Sequence, residues 1–168
     1  MRVAVTGTPG VGKTSATALV DTHLEVVNLN DLVREEGLTS GTDEERDSLI
    51  VDLDGVADRL ADRDDLLIES HLAHHLDADR AIVLRCRPAV LESRLLERGE
   101  SAEKAAENAE AEALDVILSE AVDRHGVESV YEIDTTNRAP ESVAADIEAV
   151  LRGERSPSAG TVDFTEYL

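Results

Sequence analysis

Apolar positions fall into two rhythms along this chain. Short solid runs recur at Val3-Ala4-Val5, around Glu25–Val27, at Leu66-Leu67-Ile68, at Ala81-Ile82-Val83-Leu84 and at Val130-Tyr131-Glu132-Ile133. Runs of this length read as strands buried on both faces. Between them lie longer segments with helical spacing. The segment from Lys13 to about Thr22 predicts a helix. Asp43 can N-cap another, with Arg46, Leu49, Ile50, Leu53, Val56, Ala57 and Leu60 spaced along it. Pro88 opens a helix where its missing N–H is harmless. Ser101 can cap a long alanine-rich helix reaching roughly Arg124, which Gly126 then stops. A last helix begins near Pro140 and ends at Gly153. No internal repeat is visible. Strands alternating with helices predict an α/β fold: a three-layer αβα sandwich around a five-stranded parallel sheet. The segment 154–168 holds Ser-Pro-Ser-Ala-Gly and reads as a mobile tail, although its end, 162–168, has the alternative of docking on the domain.

Composition bounds the picture further. The 168 residues, 42% of them hydrophobic, suffice for one domain over 1–153 with a real core. No apolar run approaches the roughly 18 residues of a bilayer span, so no membrane contact is expected. The first apolar stretch leads into a glycine-rich loop and not into a small-residue cleavage site, so no signal peptide is expected. Cys86 is the single cysteine and has no internal disulfide partner, which fits a reducing cytoplasm. Charge is extreme: 37 acidic residues against 16 basic ones, a formal net charge of −21. The acids are scattered along every segment. That pattern fits adaptation to high salt, since at molar salt the Debye length shrinks to about 3 Å and self-repulsion is screened. It also argues against DNA binding, which draws on clustered Lys and Arg.

One motif carries chemistry directly. Gly7-Thr8-Pro9-Gly10-Val11-Gly12-Lys13-Thr14 fits the phosphate-loop pattern between an expected strand and an expected helix. Glycines at Gly7, Gly10 and Gly12 let backbone N–H groups turn around a β-phosphate. The helix start, with Ser15 beside it, adds partial positive charge. Lys13 would bridge β- and γ-phosphate oxygens, and Thr14 would offer its hydroxyl to Mg²⁺ bound with ATP. Only two of the basic residues are lysines, Lys13 and Lys104, and one stands here. The fold expectation thereby sharpens to a P-loop NTPase.

A phosphate loop does not separate kinases from GTPases or motor ATPases. The next segment, Val27-Asn28-Leu29-Asn30-Asp31-Leu32-Val33-Arg34-Glu35-Glu36, resembles the acceptor-binding segment of nucleoside monophosphate kinases. With Asp43-Glu44-Glu45, Glu69-Ser70-His71, Val83-Leu84-Arg85, the Leu95–Gly99 turn and Thr136-Asn137-Arg138, the chain to about residue 152 most resembles the adenylate kinase isoenzyme 6 family. The resemblance implies a nucleoside monophosphate kinase fold with a short lid at 97–107 and an acceptor segment at 28–51. It implies phosphoryl transfer from ATP to AMP or a similar monophosphate, a slower ATPase activity, and a link to small ribosomal subunit (16S rRNA) maturation through a platform ribosomal protein. On this reading Asp31 and Arg34 serve the acceptor, Arg98 reaches the ATP phosphates and Arg138 lines the adenine. Arginine suits these roles because its planar fork pairs two phosphate oxygens and its face stacks on bases. A surface ion pair is the competing role for each.

Glu69-Ser70-His71 follows the third expected strand, where such proteins place an acid near the metal. The family pattern has Asp where Glu69 stands, so Glu69 is expected to reach the metal directly or through water. His71 is expected to orient a water or the acceptor, or else to cap the strand end. His74 and His75 extend this to an H-x-x-H-H string suggestive of zinc, but no acid or cysteine set supports it, and a phosphate-transfer site already explains the location. Lys104 fits a helical pairing with Glu100 or Asn108, and Cys86 fits packing.

Two function classes follow. One is an enzyme moving the γ-phosphate to a monophosphate, with Lys13, Arg34, Arg85, Arg94 and Arg98 supplying positive charge. The other is an assembly factor that uses ATP hydrolysis as a switch. A GTPase is disfavoured, because Thr136-Asn137-Arg138-Ala139 lacks the lysine and acid of a guanine motif.

Overall fold

The computed structural model describes residues 1–43 and 48–168. Five parallel strands stand in the order β2-β5-β1-β6-β7. They are β1 (Arg2–Thr6), β2 (Glu25–Asn28), β5 (Leu66–Glu69), β6 (Arg80–Arg85) and β7 (Val130–Asp134). The expected parallel α/β sandwich is therefore present. Side chains alternate across the sheet. Val3 and Val5 pack with Leu67, Ile82 and Leu84 against α4 (Pro88–Glu97) and α7 (Pro140–Leu151) through Leu91, Leu95, Val143 and Ile147. Ala4 faces the other way with Val27, Leu66 and Ile68. It meets α2 (Leu29–Glu36) and α3 (Leu53–Leu60) through Leu29, Val33, Val56 and Leu60. Ala81, Val83 and Val130 pack on Leu118 and Ala121 of α6 (Val116–His125). Each such aliphatic side chain taken fully from water contributes about 1.5–3 kcal/mol, so these seams hold the layers together.

Three expectations are corrected. The helix α1 covers only Lys13–Thr17, and i→i+3 bonds at Leu19 and Val20 carry the chain out of it. The Thr17 hydroxyl donates to the Thr14 carbonyl, a back-bond that weakens helix continuation. Among the described residues the helix expected from Asp43 is absent. Instead β3 (Thr39–Asp43) and β4 (Ser48–Val51) pair antiparallel, and α3 begins only at Leu53, capped by Asp52 accepting from the Gly55 N–H at 3.0 Å. Glu44, Glu45 and Arg46, which figured in that expectation and in the family motif, lie outside the described residues.

The long alanine-rich helix is broken. Ser101 does cap α5 (Ala102–Ala113), accepting from the Lys104 N–H, and Gly126 does end α6. Between them Asp115 takes a left-handed conformation (φ 56°) that aspartate tolerates better than most residues, and its carboxylate meets Arg85 at 2.6 Å. The tail, whose end had docking as the alternative to mobility, lies against the domain. The Ser158 N–H donates to the Val130 carbonyl (3.0 Å), and those of Gly160 and Thr161 reach the Glu132 carboxylate. Phe164 lies 5.4 Å from the Arg85 guanidinium, and the Tyr167 hydroxyl donates to Glu92 at 2.8 Å.

Candidate active site

In open parallel sheets ligands bind beyond the carboxyl ends of the strands, where the chain leaves in opposite directions. Here that point is β1, with β5 and β2 on one side and β6 and β7 on the other. The ends of β1, β5 and β6 deliver the phosphate loop, Glu69-Ser70-His71 and Arg85. A cleft of about 690 Å³ opens at this edge.

The loop itself depends on glycine. A Cβ on Gly7 would stand 2.6 Å from the Leu84 carbonyl oxygen of β6, so only glycine lets the loop leave β1 this close to the sheet. Gly12 (φ 101°) turns left-handed directly before α1, a conformation that costs other residues energy. Behind the loop the Thr8 hydroxyl donates to Glu112 (3.1 Å), and the Thr135 hydroxyl donates to the Val11 carbonyl (3.0 Å).

Lys13 is almost fully buried, and its ammonium donates to the carbonyls of Gly7 (2.7 Å) and Thr8 (3.2 Å). Burial lowers its pKa to about 8, against the opposing pull of Glu69 and Glu112. It is still largely charged at neutral pH. The Thr14 hydroxyl donates to Glu69 Oε1 at 2.5 Å, and Asn28 Nδ2 donates to Glu69 Oε2 at 2.7 Å. Asn28 also caps α2 by accepting from the Asp31 N–H, so one residue starts the helix and aims the buried carboxylate. His71 lines the cleft. Burial and then the Lys13 charge push its pKa down to about 4, so it is neutral at pH 7. Arg94 and Arg98 enter from the end of α4, and Arg138 from the far wall, where Asp146 holds it at 2.8 Å.

Residues 3–115 match the AAA domain family, which places the loop and the sheet around it among P-loop proteins. A protein named "putative adenylate kinase" from Natronomonas pharaonis is 69% identical over the full length of both chains. One of the same name from Halobacterium salinarum is 63% identical, again over both full lengths. A third, from Pyrococcus abyssi, is 41% identical over 99% of this chain and 92% of its own. The chain belongs to the adenylate kinase family.

Against the adenylate kinase expectation, the structure brings together most of the residues singled out from the sequence. Gly10, Gly12, Lys13, Thr14, Ser15, Glu69, His71, Arg98 and Arg138 all line one cleft, with Gly7 buried at its root. Asp31 and Arg34 do not line it. They form an exposed i,i+3 ion pair at 2.9 Å on α2, whose Asn30 does face the cleft. Arg85 is corrected as a source of charge for the reaction. It is fully buried and bound by Glu112 (3.3 Å), Asp115 (2.6 Å) and Glu132 (2.8 Å). Its work is to pin the loop-side glutamate, the helix break and β7. Glu112 was missed, and Asn28 was placed in the acceptor segment but not beside Glu69, because their partners lie far away in sequence. Asn28 could have been found as a polar residue closing an apolar strand just before a helix. Cys86 is buried, and burial raises its thiol pKa, which suits packing. Among the described residues no helix is long and apolar enough to cross a membrane.

Proposed function

We propose that the protein catalyses reversible transfer of the γ-phosphate of ATP to AMP or another nucleoside monophosphate. The observation that carries this reading is the convergence of Lys13, the Thr14–Glu69 pair, Arg94 and Arg98 on the mouth of the phosphate loop. In the forward direction an oxygen of the acceptor phosphate forms a bond to the γ-phosphorus. The bond from that phosphorus to the β–γ bridging oxygen breaks, and both nucleotides leave as diphosphates. Lys13 leaves its loop carbonyls for the β- and γ-oxygens, while Arg94 and Arg98 meet the charge spread over the moving group. Thr14 and Glu69 offer a hydroxyl and a carboxylate side by side, an all-oxygen set that fits Mg²⁺. When bound, Mg²⁺ supplies charge neutralisation for the β- and γ-phosphates. Glutamate in place of the family's aspartate reaches this position because Asn28 holds its far oxygen. His71, neutral, orients the acceptor or a water, and Arg138 borders the base. Segment 28–51 is the acceptor-binding region, with Arg34 turning from Asp31 to the acceptor phosphate.

A second reading is an ATPase switch. Its support is the short connection over the cleft: α4 ends at Glu97 and α5 begins at Ala102, so the lid at 97–107 has four residues outside helix and little to exclude water. The role in small-subunit rRNA maturation, with a platform ribosomal protein as partner, rests on the isoenzyme 6 resemblance. A cytoplasmic location is in keeping with the unpaired, buried Cys86. The test is a coupled assay of ATP with AMP, CMP, GMP and UMP in molar KCl. Monophosphate-dependent ATP loss yielding two diphosphates per ATP is expected, and Lys13→Ala should lose on the order of 100-fold or more. Phosphate release indifferent to every monophosphate would shift the assignment to the switch.

A further inference from the structure

We propose that His74, His75 and Glu120 form a binding site for one divalent transition ion of the zinc class, separate from the nucleotide cleft. The two histidines sit on a single 3-10 turn, Ala73–His75, between β5 and β6. Glu120 projects from α6, 45 residues beyond His75 in sequence, and one of its oxygens faces both rings. Oε2 lies 2.7 Å from His74 Nε2 and 3.5 Å from His75 Nε2. The ligand atoms of all three residues lie within 4.8 Å of one another. A tetrahedral zinc site with bonds of about 2.0–2.1 Å spaces its ligand atoms at about 3.3 Å, between the two separations found here. None of the three residues lines the phosphate-loop cleft.

The surroundings are those of a ligand set. His74 is buried, and its other ring nitrogen, Nδ1, lies 2.7 Å from the Thr6 hydroxyl at the end of β1. Without an ion, Nε2–H donates to Glu120 and the Thr6 hydroxyl donates to Nδ1; an ion would take the place of the Nε2 proton, and Nδ1–H would then donate to that hydroxyl, the second contact metal-binding histidines normally have. His125 Nε2 donates to the His74 carbonyl at 2.8 Å and holds the turn against α6. His75 and Glu120 are 37% and 44% exposed, so an ion has a route in and a solvent-facing position for water. Two imidazoles and one carboxylate favour zinc over Mg²⁺, which prefers oxygen ligands throughout. The ion would clip the turn after β5 to α6 directly behind the strand that launches the phosphate loop.

Isothermal titration of the purified full-length protein with ZnCl₂, in molar KCl with excess Mg²⁺ and no nucleotide, tests this. One equivalent should bind, and Co²⁺ in its place should show the intense visible bands of a low-coordinate site. His75→Ala and Glu120→Gln, both at partly exposed side chains, should each weaken zinc by about 100-fold or more and abolish the Co²⁺ bands. That loss matches or exceeds the 10–100-fold cost of losing a mere supporting contact. Metal-free melting curves of both variants check that they fold. Absence of stoichiometric binding, or binding by both folded variants at wild-type strength, overturns the proposal.

Discussion

Replacing Glu112 with alanine tests how the phosphate loop is anchored. Its side chain is 3% exposed, with Oε2 accepting from the Cys86 N–H at 2.8 Å and Oε1 meeting the Thr8 hydroxyl at 3.1 Å and Arg85 at 3.3 Å. Breaking a buried ion pair by removing one partner usually costs about 3–5 kcal/mol, because the other charge is left uncompensated. Arg85 is not left so, since Asp115 and Glu132 remain on it. Burial holds the Glu112 pKa above its ordinary value, so its charged form is itself costly at this position. The orphaned Cys86 N–H therefore dominates, at about 1–3 kcal/mol, with the lost Cγ methylene adding about 1 more. A total of about 3 kcal/mol corresponds to a fall of about 6–12 °C in the unfolding midpoint for a chain of this size. Glu112→Gln keeps a carbonyl for the Cys86 N–H and should fall by less than half as much. Thermal melts followed by far-UV circular dichroism in molar KCl compare the two. ATP KM should rise a few-fold in the alanine variant as Thr8 loses its tether. If the glutamine variant falls as far as the alanine one, charge and not the hydrogen bond is what holds the loop, and the reasoning fails.

Other outcomes are equally open to measurement. Arg34→Ala should weaken AMP at least tenfold in separate titrations while ATP affinity stays within about twofold, as losing a charge-assisted phosphate contact implies; equal losses for both would remove Arg34 from the acceptor side. The His71 pKa is depressed in the folded state to about 4 from an ordinary 6.5, so the unfolded chain binds its proton first as pH falls. The stability tied to it is complete above about 6.5 and lost toward 4, so wild type minus His71→Gln should show a midpoint difference that changes across this window and is flat from pH 7 to 8. With −21 net charge, raising KCl from about 0.1 to about 3 M should raise the unfolding midpoint as the Debye length contracts, and a flat response would remove the high-salt reading of the surface.

The central sheet was legible because most of its strands are short apolar runs bounded by turn residues and separated by helical segments. The phosphate loop was legible because Gly7 to Thr14 are contiguous, and a local backbone shape needs local residues. The acceptor region was read as helix because Leu49, Ile50, Leu53 and Val56 fit helical spacing, yet Ile50 pairs across a hairpin with Gly41. Short apolar stretches carry both periods, and the partner strand decides. The break at Asp115 was likewise hidden. Its neighbours favour helix, and the interruption is held by a bond to Arg85, 30 residues earlier.

By itself the sequence determined the α/β class, the five strands of the parallel sheet and the phosphate-binding turn. Each of these depends on contiguous spacing or on burial patterns within one element. Only the tertiary structure decided which charges are free. Arg85 and Arg98 are the same residue type, yet one is closed in by Glu112, Asp115 and Glu132 and the other opens onto the cleft. It also decided that the tail docks through Glu132, and that Glu120 meets two histidines 45 and 46 residues away. The physical reason is common to all three. A charged side chain takes its role from whatever lies within a few ångströms, and in this fold those neighbours come from elements remote along the chain.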